Sequence, residues 1–167
     1  MVREIAQSAS IPQRKGDRIE LWRVVSDSWK KLTRQVENNL AKIGVGLPEF
    51  RILRVLEELG SSPMAQLSHE TLLTQAAITA IVDDLEGRGF VKRLRSLEDR
   101  RVINVEITSK GKLLLKEAIG IHKHYVEEML GELTDEELEN FSTILGKLVF
   151  RVDSLAAKKS EKPAKEK

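Results

Sequence analysis

The chain has 167 residues, 41% hydrophobic but only 4% aromatic, and a formal net charge of +2. That length bounds it to one compact domain, or a small one with an extension packed on it or on a second copy, and its core must rest on Leu, Ile and Val. The absence of cysteine excludes disulfides, thiolate catalysis and Cys-ligated metals, and no apolar run reaches signal-peptide or membrane-spanning length, which predicts a soluble, cytoplasmic protein.

Residues 1–16 lack periodicity and carry Pro12 and Gly16, the pattern of a flexible arm. A long helix is predicted from Asp17. Trp22, Val25, Trp29, Leu32, Val36, Leu40 and Ile43 recur at steps of three and four, which places them on one face, and Gly44 and Gly46 stop it. Pro48 suits the first turn of a second helix, with a buried face of Phe50, Leu53, Leu56 and Leu59 and an end at Gly60. Ser62-Pro63 reads as an N-cap followed by a first-turn proline, opening a short helix from about Met64 to His69.

Leu72-Leu73 form a turn, and Thr74 is placed to cap a helix running through Arg88. Ile78, Ile81, Val82 and Leu85 share one face of that helix. Gln75, Ala76, Thr79, Ala80 and Asp83 share the other, which is low in charge for a solvated surface. The period then changes from 3.6 to 2, predicting a strand over Phe90–Leu94 and a second in which Ile103, Val105 and Ile107 alternate with Asn104 and Glu106. Between them Arg95–Arg101 is too long for a tight turn and reads as a protruding loop. Thr108 can cap a fifth helix reaching about Leu130. A sixth opens with Thr134-Asp-Glu-Glu137, the form of a capping box. Its Leu138, Phe141, Leu145, Leu148, Val152 and Leu155 make a seam suited to another helix. Residues 158–167, with five lysines, read as a disordered tail.

Helix, helix, short helix, turn, helix, strand, charged loop, strand is the order of a winged helix-turn-helix. The fold class expected is mainly α with a small β-hairpin wing, plus a helical dimerisation region. A helix presenting short polar and small side chains can lie deep in a major groove, where long charged ones would hold it away. Gln75 can pair its amide with adenine, Thr79 can donate to or accept from a base edge, and Ala76 or Ala80 can touch a thymine methyl. Thr74, at the helix N-terminus, is placed to meet a phosphate. From Arg88 to Arg101 six basic residues stand against two acidic ones, a local charge of +4. A basic loop there can reach a minor groove, where narrowing deepens the negative potential. Asp99 beside Arg100 and Arg101 can hold a guanidinium in a fixed pose. Arg88, Arg93, Arg95 and Lys110 are grouped with this DNA-facing set.

Two copies would double the contacts and match a palindrome. The predicted dimer surface is Trp22, Val25, Trp29, Tyr125, Met129 and the seam Leu138, Phe141, Leu145, Leu148, Val152 and Leu155. The divisions expected are an arm at 1–16, a dimerisation helix at 17–46, the winged helix at 47–107, further dimerisation helices at 108–157 and the tail at 158–167. No glycine-rich phosphate loop, paired-carboxylate site or metal-ligand spacing appears, so neither an enzyme nor a cofactor is expected. His122 and His124 face different sides of a helix, which argues against a metal site. The alternative function is a winged helix used for protein interaction without sequence-specific DNA binding. Its recognition face would be apolar or acidic and its wing poor in arginine, which this sequence does not show.

The run Thr74-Gln-Ala-Ala-Ile-Thr-Ala-Ile-Val-Asp-Asp-Leu-Glu-Gly-Arg-Gly-Phe-Val-Lys-Arg93, then Leu97-Glu-Asp-Arg-Arg101, then Ile107-Thr-Ser-Lys-Gly111, resembles the MarR family of bacterial and archaeal regulators. The Asp-Arg-Arg wing and the Thr-x-Lys-Gly helix start are the most specific marks, and the resemblance covers nearly the whole chain. It implies a dimeric transcription regulator on a pseudo-palindromic operator, with Asp99 bracing the wing while Arg101, with Arg100, enters the minor groove. It also implies a small phenolic or aromatic acid effector held between the dimer region and the winged helix. Trp22, Trp29, Phe50 and Tyr125, near Arg18, Arg23 or Arg54, could supply an aromatic pocket with a cation.

Overall fold

The structure is a computed structural model that describes residues 17–95 and 102–160. The expected N-terminal arm, the wing tip with Asp99, Arg100 and Arg101, and the tail after residue 160 lie outside the described residues. Asp17 opens helix α1 (Arg18–Ala41) by accepting from the backbone N–H of Ile19 and Glu20. Helix α2 (Leu47–Leu59) follows a turn at residues 42–44 and carries proline in its first turn, as the spacing predicts. Strand β1 (Ser62–Pro63) leads into helix α3 (Met64–Thr71), and helix α4 (Gln75–Gly87) comes after a three-residue turn. Strands β2 (Val91–Arg95) and β3 (Ile103–Ile107) precede helices α5 (Ser109–Leu130) and α6 (Asp135–Ser160).

The strands form one antiparallel sheet in the order β1-β3-β2. Val91 pairs with Ile107 and Arg95 with Ile103, so the hairpin keeps one register throughout. On β3 burial alternates as the period of two requires: Val105 and Ile107 are buried and Ile103 is exposed. Leu40 of α1, Phe50, Ile52, Leu53 and Leu56 of α2, Leu67 of α3, Ile78, Val82 and Leu85 of α4, the strand valines and Leu115 and Ala118 of α5 make one core. The winged-helix core therefore draws on residues outside 47–107. The chain divides into two compact units at Tyr125/Val126, the second holding α6. Among the described residues no helix is long and apolar enough to cross a membrane.

Three details differ from the expectations above. Ser62-Pro63 is not a cap and a first-turn proline. Ser62 pairs with Val105 and Pro63 with Asn104, and the helix starts only at Met64. Pro63 lacks an N–H and suits an edge strand, where no ladder partner is needed. Leu59 is 49% exposed and Ile52 is buried in its place. Ile52 sits one turn from Leu56 on the core face, whereas Leu59 lies where the chain leaves the helix at Gly60, at φ +74°. Finally, α6 runs to Ser160, three residues into the expected tail, because alanine and lysine at 156–159 both favour helix.

Leu72 ends α3 in the left-handed region at φ 57°, with its side chain 91% exposed. A branched side chain resists that conformation by about 1 kcal/mol, and glycine's greater freedom when unfolded offsets part of the gain. Leu72→Gly is expected to raise the midpoint of thermal unfolding by about 1–2 °C. A lower midpoint would show that the leucine side chain holds the turn by contacts.

Candidate nucleic-acid interface

The turn between α3 and α4 is fixed by side chains from α3. Ser68 Oγ donates to the carbonyl of Leu73 at 2.6 Å, and Thr71 Oγ1 donates to Leu67 at 2.6 Å. Thr74 then caps α4, its hydroxyl oxygen accepting from the N–H of Ala77 at 3.3 Å. Ile78, Val82 and Leu85 anchor the helix in the core, which turns Thr74, Gln75, Ala76, Thr79, Ala80 and Asp83 to solvent. The structure thus brings these six residues onto one exposed surface of α4, five of them at its N-terminal half.

Two of these residues have their chemistry narrowed by local bonds. Thr79 Oγ1 donates to the carbonyl of Gln75 at 3.0 Å. Its proton is engaged, so toward a base it offers lone pairs and a methyl group. Asp83 is bound to Arg93 of β2 at 2.6 Å, and a carboxylate that would repel phosphate is thereby neutralised.

Arg93 also reaches Glu86, its guanidinium donating at 2.6 Å and its backbone N–H at 2.8 Å. Strand β2 is therefore clasped to α4 by one residue. The partners hold the Arg93 charge firmly: burial opposes it, but the hydrogen bonds to Glu86 and Asp83 outweigh burial and raise its pKa. Lys92 pairs with Glu106 across the hairpin at 3.1 Å. Arg88 bonds to Glu49 at 2.6 Å, to Asp84 at 2.9 Å and to the Gly44 carbonyl at 2.6 Å. Lys110 Nζ donates to the Arg88 carbonyl at 2.8 Å and lies 4.8 Å from the Phe90 ring centre. The sequence groups Arg88, Arg93 and Lys110 with the cations facing DNA; in the structure each also has a partner within the chain. Arg95 is exposed at the end of β2, where the chain leaves toward residues 96–101.

Thr108 closes the base of the wing. Its N–H donates to the Phe90 carbonyl at 3.0 Å, its hydroxyl donates to the Gly89 carbonyl at 2.8 Å, and its oxygen accepts from the N–H of Gly111 at 3.1 Å. Gly111 passes so near Phe90 that no Cβ could fit: one would lie 2.1 Å from the Phe90 carbonyl oxygen. In the sequence this glycine is only the end of the Thr-x-Lys-Gly pattern; the approach of Phe90 is what requires it.

The residues expected to form an effector pocket are only partly gathered. Phe50 and Arg54 line a cavity of about 240 Å³ with Glu57, Glu58, Leu115, Ile119 and His122. Arg18, Trp22, Arg23, Trp29 and Tyr125 are not among its lining residues. Trp22 and Trp29 are each 64% exposed on α1, and Arg23 pairs with Glu20. His122, which the sequence offered only as an improbable metal ligand, stacks at a tilt on Phe50 with ring centres 5.4 Å apart. Its Nδ1 is buried without a hydrogen-bond partner among the described residues. Burial, and then the charge of Arg54, lower its pKa and favour the neutral ring.

Of the expected dimer surface, Trp22, Val25 and Trp29 are exposed on α1, and Tyr125 and Met129 are half-buried on α5. Phe141, Leu145, Leu148, Val152 and Leu155 are exposed along α6, with Leu138 half-buried. The capping box of α6 forms as its sequence indicates: Glu137 accepts from the N–H of Thr134 at 2.9 Å, and Thr134 accepts from that of Glu137 at 3.3 Å.

The arrangement can be set beside known proteins. The profile of the MarR family matches residues 46–103, the span from the start of α2 to the start of β3. The HTH-type transcriptional regulator MhqR of Bacillus subtilis is 32% identical over 127 residues, covering 76% of this chain and 88% of that one. This chain belongs to the MarR family. The transcriptional regulator BldR of Sulfolobus solfataricus shares its fold at a TM-score of 0.67 and 33% identity, covering 81% of this chain and 99% of BldR. FabT of Streptococcus pneumoniae, solved in complex with DNA, superposes at a TM-score of 0.72 with 24% identity, over 83% and 99% of the two chains. The MarR fold explains why the sheet is small and the helices long, and membership sets the chain among transcriptional regulators rather than enzymes.

Proposed function

We propose that this MarR-family protein is a homodimeric, sequence-specific regulator of transcription that binds a pseudo-palindromic duplex. The observation that carries the reading is the exposed, low-charge face of α4, anchored from beneath by Ile78, Val82 and Leu85 and clasped to the wing by Arg93. Such a helix can enter a major groove, with Gln75, Ala76, Thr79 and Ala80 against base edges and Thr74 at a phosphate. Arg95 leads into the wing, whose Arg100 and Arg101, braced by Asp99, are assigned the adjacent minor groove. FabT, whose fold this chain shares, has been solved on DNA.

Pairing of two copies is assigned to the apolar faces of α1 and α6. The α6 seam is widened by Ile144 and Val149, which are also exposed, and an isolated helix with so broad an apolar arc needs a partner. In this scheme α1 and the last two helices dimerise while residues 47–107 read DNA. A small aromatic acid is the effector assigned to the Phe50 and Arg54 cavity, where the Phe50 ring offers stacking and the acid's carboxylate would compete with Glu58, 3.0 Å from Arg54, for the guanidinium.

Selection from a random duplex pool tests the reading. The wild-type protein is expected to enrich an inverted repeat, and Gln75→Ala to relax preference at one base pair of each half-site, costing about 1–3 kcal/mol there. A pool that yields no enriched sequence would favour a winged helix used for protein interaction.

A further inference from the structure

We infer that Arg88 is a positioning residue, tying the reading helix to the turn that joins α1 to α2, rather than a contact to DNA. The inference rests on the DNA-reading role of α4. Arg88 stands just after α4, and its guanidinium meets three acceptors: Glu49 at the start of α2, Asp84 one turn back on α4, and the carbonyl of Gly44. Two of the three belong to other parts of the chain, 39 and 44 residues away. The planar fork serves them together from two of its nitrogens.

Further contacts steady the group, whose side chain is 35% exposed. Its guanidinium carbon lies 4.9 Å from the centre of the Phe90 ring, and its backbone carbonyl accepts from Lys110. Glu49 in turn accepts from the N–H of Gly46 at the N-cap of α2. Gly44 holds φ +68°, a turn other residues resist, so its carbonyl is presented in a fixed direction. The Glu49 side chain is only 15% exposed. Three of its five N–H donors are taken and two carboxylates balance its charge, which weakens its pull on a phosphate. What it can set is the angle of α4 relative to α1, the helix assigned to dimerisation. The distance between the two reading helices of a dimer depends on that angle, and spacing is what a palindrome tests.

The test compares Arg88→Gln, Glu49→Gln and Asp84→Asn in the full-length protein. Binding to the selected duplex and to a scrambled duplex is measured over a range of salt, at a temperature where circular dichroism shows each variant folded. Arg88→Gln and Glu49→Gln are each expected to lose about tenfold on the selected duplex and less than about twofold on the scrambled one, with the salt slope unchanged. The double variant should lose no more than either alone. Asp84→Asn, which removes only the partner on the same helix, should keep specificity. Equal losses on both duplexes, with a slope smaller by about 0.9, would instead make Arg88 a phosphate contact and overturn the proposal. So would specificity that survives in Glu49→Gln. An arm without DNA separates this inference from the reading on which it rests. Hydrogen exchange of amides 42–46 and 84–90 should quicken together in both Arg88→Gln and Glu49→Gln, and independent behaviour of the two segments would refute the tie.

Discussion

Alanine in place of Gly111 is expected to destabilise the fold by about 3 kcal/mol, the upper part of the range for overpacking a core. The added Cβ would lie 2.1 Å from the Phe90 carbonyl oxygen and 2.8 Å from Ile107 Cγ1. The first of these is backbone, and it already accepts from the N–H of Thr108 at 3.0 Å. It cannot withdraw without breaking the bond that closes the wing at the start of α5. For a chain of this length the unfolding midpoint should fall by roughly 6–12 °C. Gly120→Ala, on the same helix with open space at the Cβ position, should gain stability of about 0.5–1 kcal/mol from helix propensity. Chemical denaturation of the two variants measures both. Equal behaviour would show that the Phe90 contact relaxes freely and that the glycine has no steric role.

A charge in the middle of the α6 seam should separate the two copies. Leu148 is 50% exposed on the described chain, one turn from Leu145 and Val152. In a dimer it would be buried against its partner, and Leu148→Glu would place an unpaired carboxylate there. In a single chain the same side chain would stay in water and cost little. The variant is therefore expected to keep its helical content while sedimenting as one 18.9 kDa chain, and to lose operator affinity at least about a hundredfold, because only one half-site is then held at a time. Sedimentation velocity and a gel-shift series read the two effects separately. A variant that remained dimeric would move the interface away from α6. A monomer with unchanged affinity would show that a single reading helix and wing suffice.

Much of the candidate interface was legible because it is built from neighbours along the chain. The cap at Thr74, the low-charge face of α4 and the capping box at Thr134 each depend on residues three or four positions apart, and helical periodicity exposes them directly. The two residues of β1 carry no period at all, so only their pairing with β3 reveals a strand. The six cations between Arg88 and Arg101 looked alike as letters. In the folded chain Arg93 meets Asp83 and Glu86 on the preceding helix, and Arg88 meets Glu49, far upstream. Counting charge finds a basic segment, but it cannot separate cations that bind outward from those neutralised within.

By itself, the sequence determined the order and type of the long elements, where the long helices begin, and which face of α4 is left to solvent. Those properties follow from backbone geometry and apolar spacing over a few residues. Only the tertiary structure decided that Arg88 and Arg93 hold the fold together, that position 111 must be glycine, and that Phe50 faces His122 rather than a tryptophan. Each of those depends on groups brought close from distant parts of the chain, and the direction of a side chain toward such a partner is set only when the core has packed.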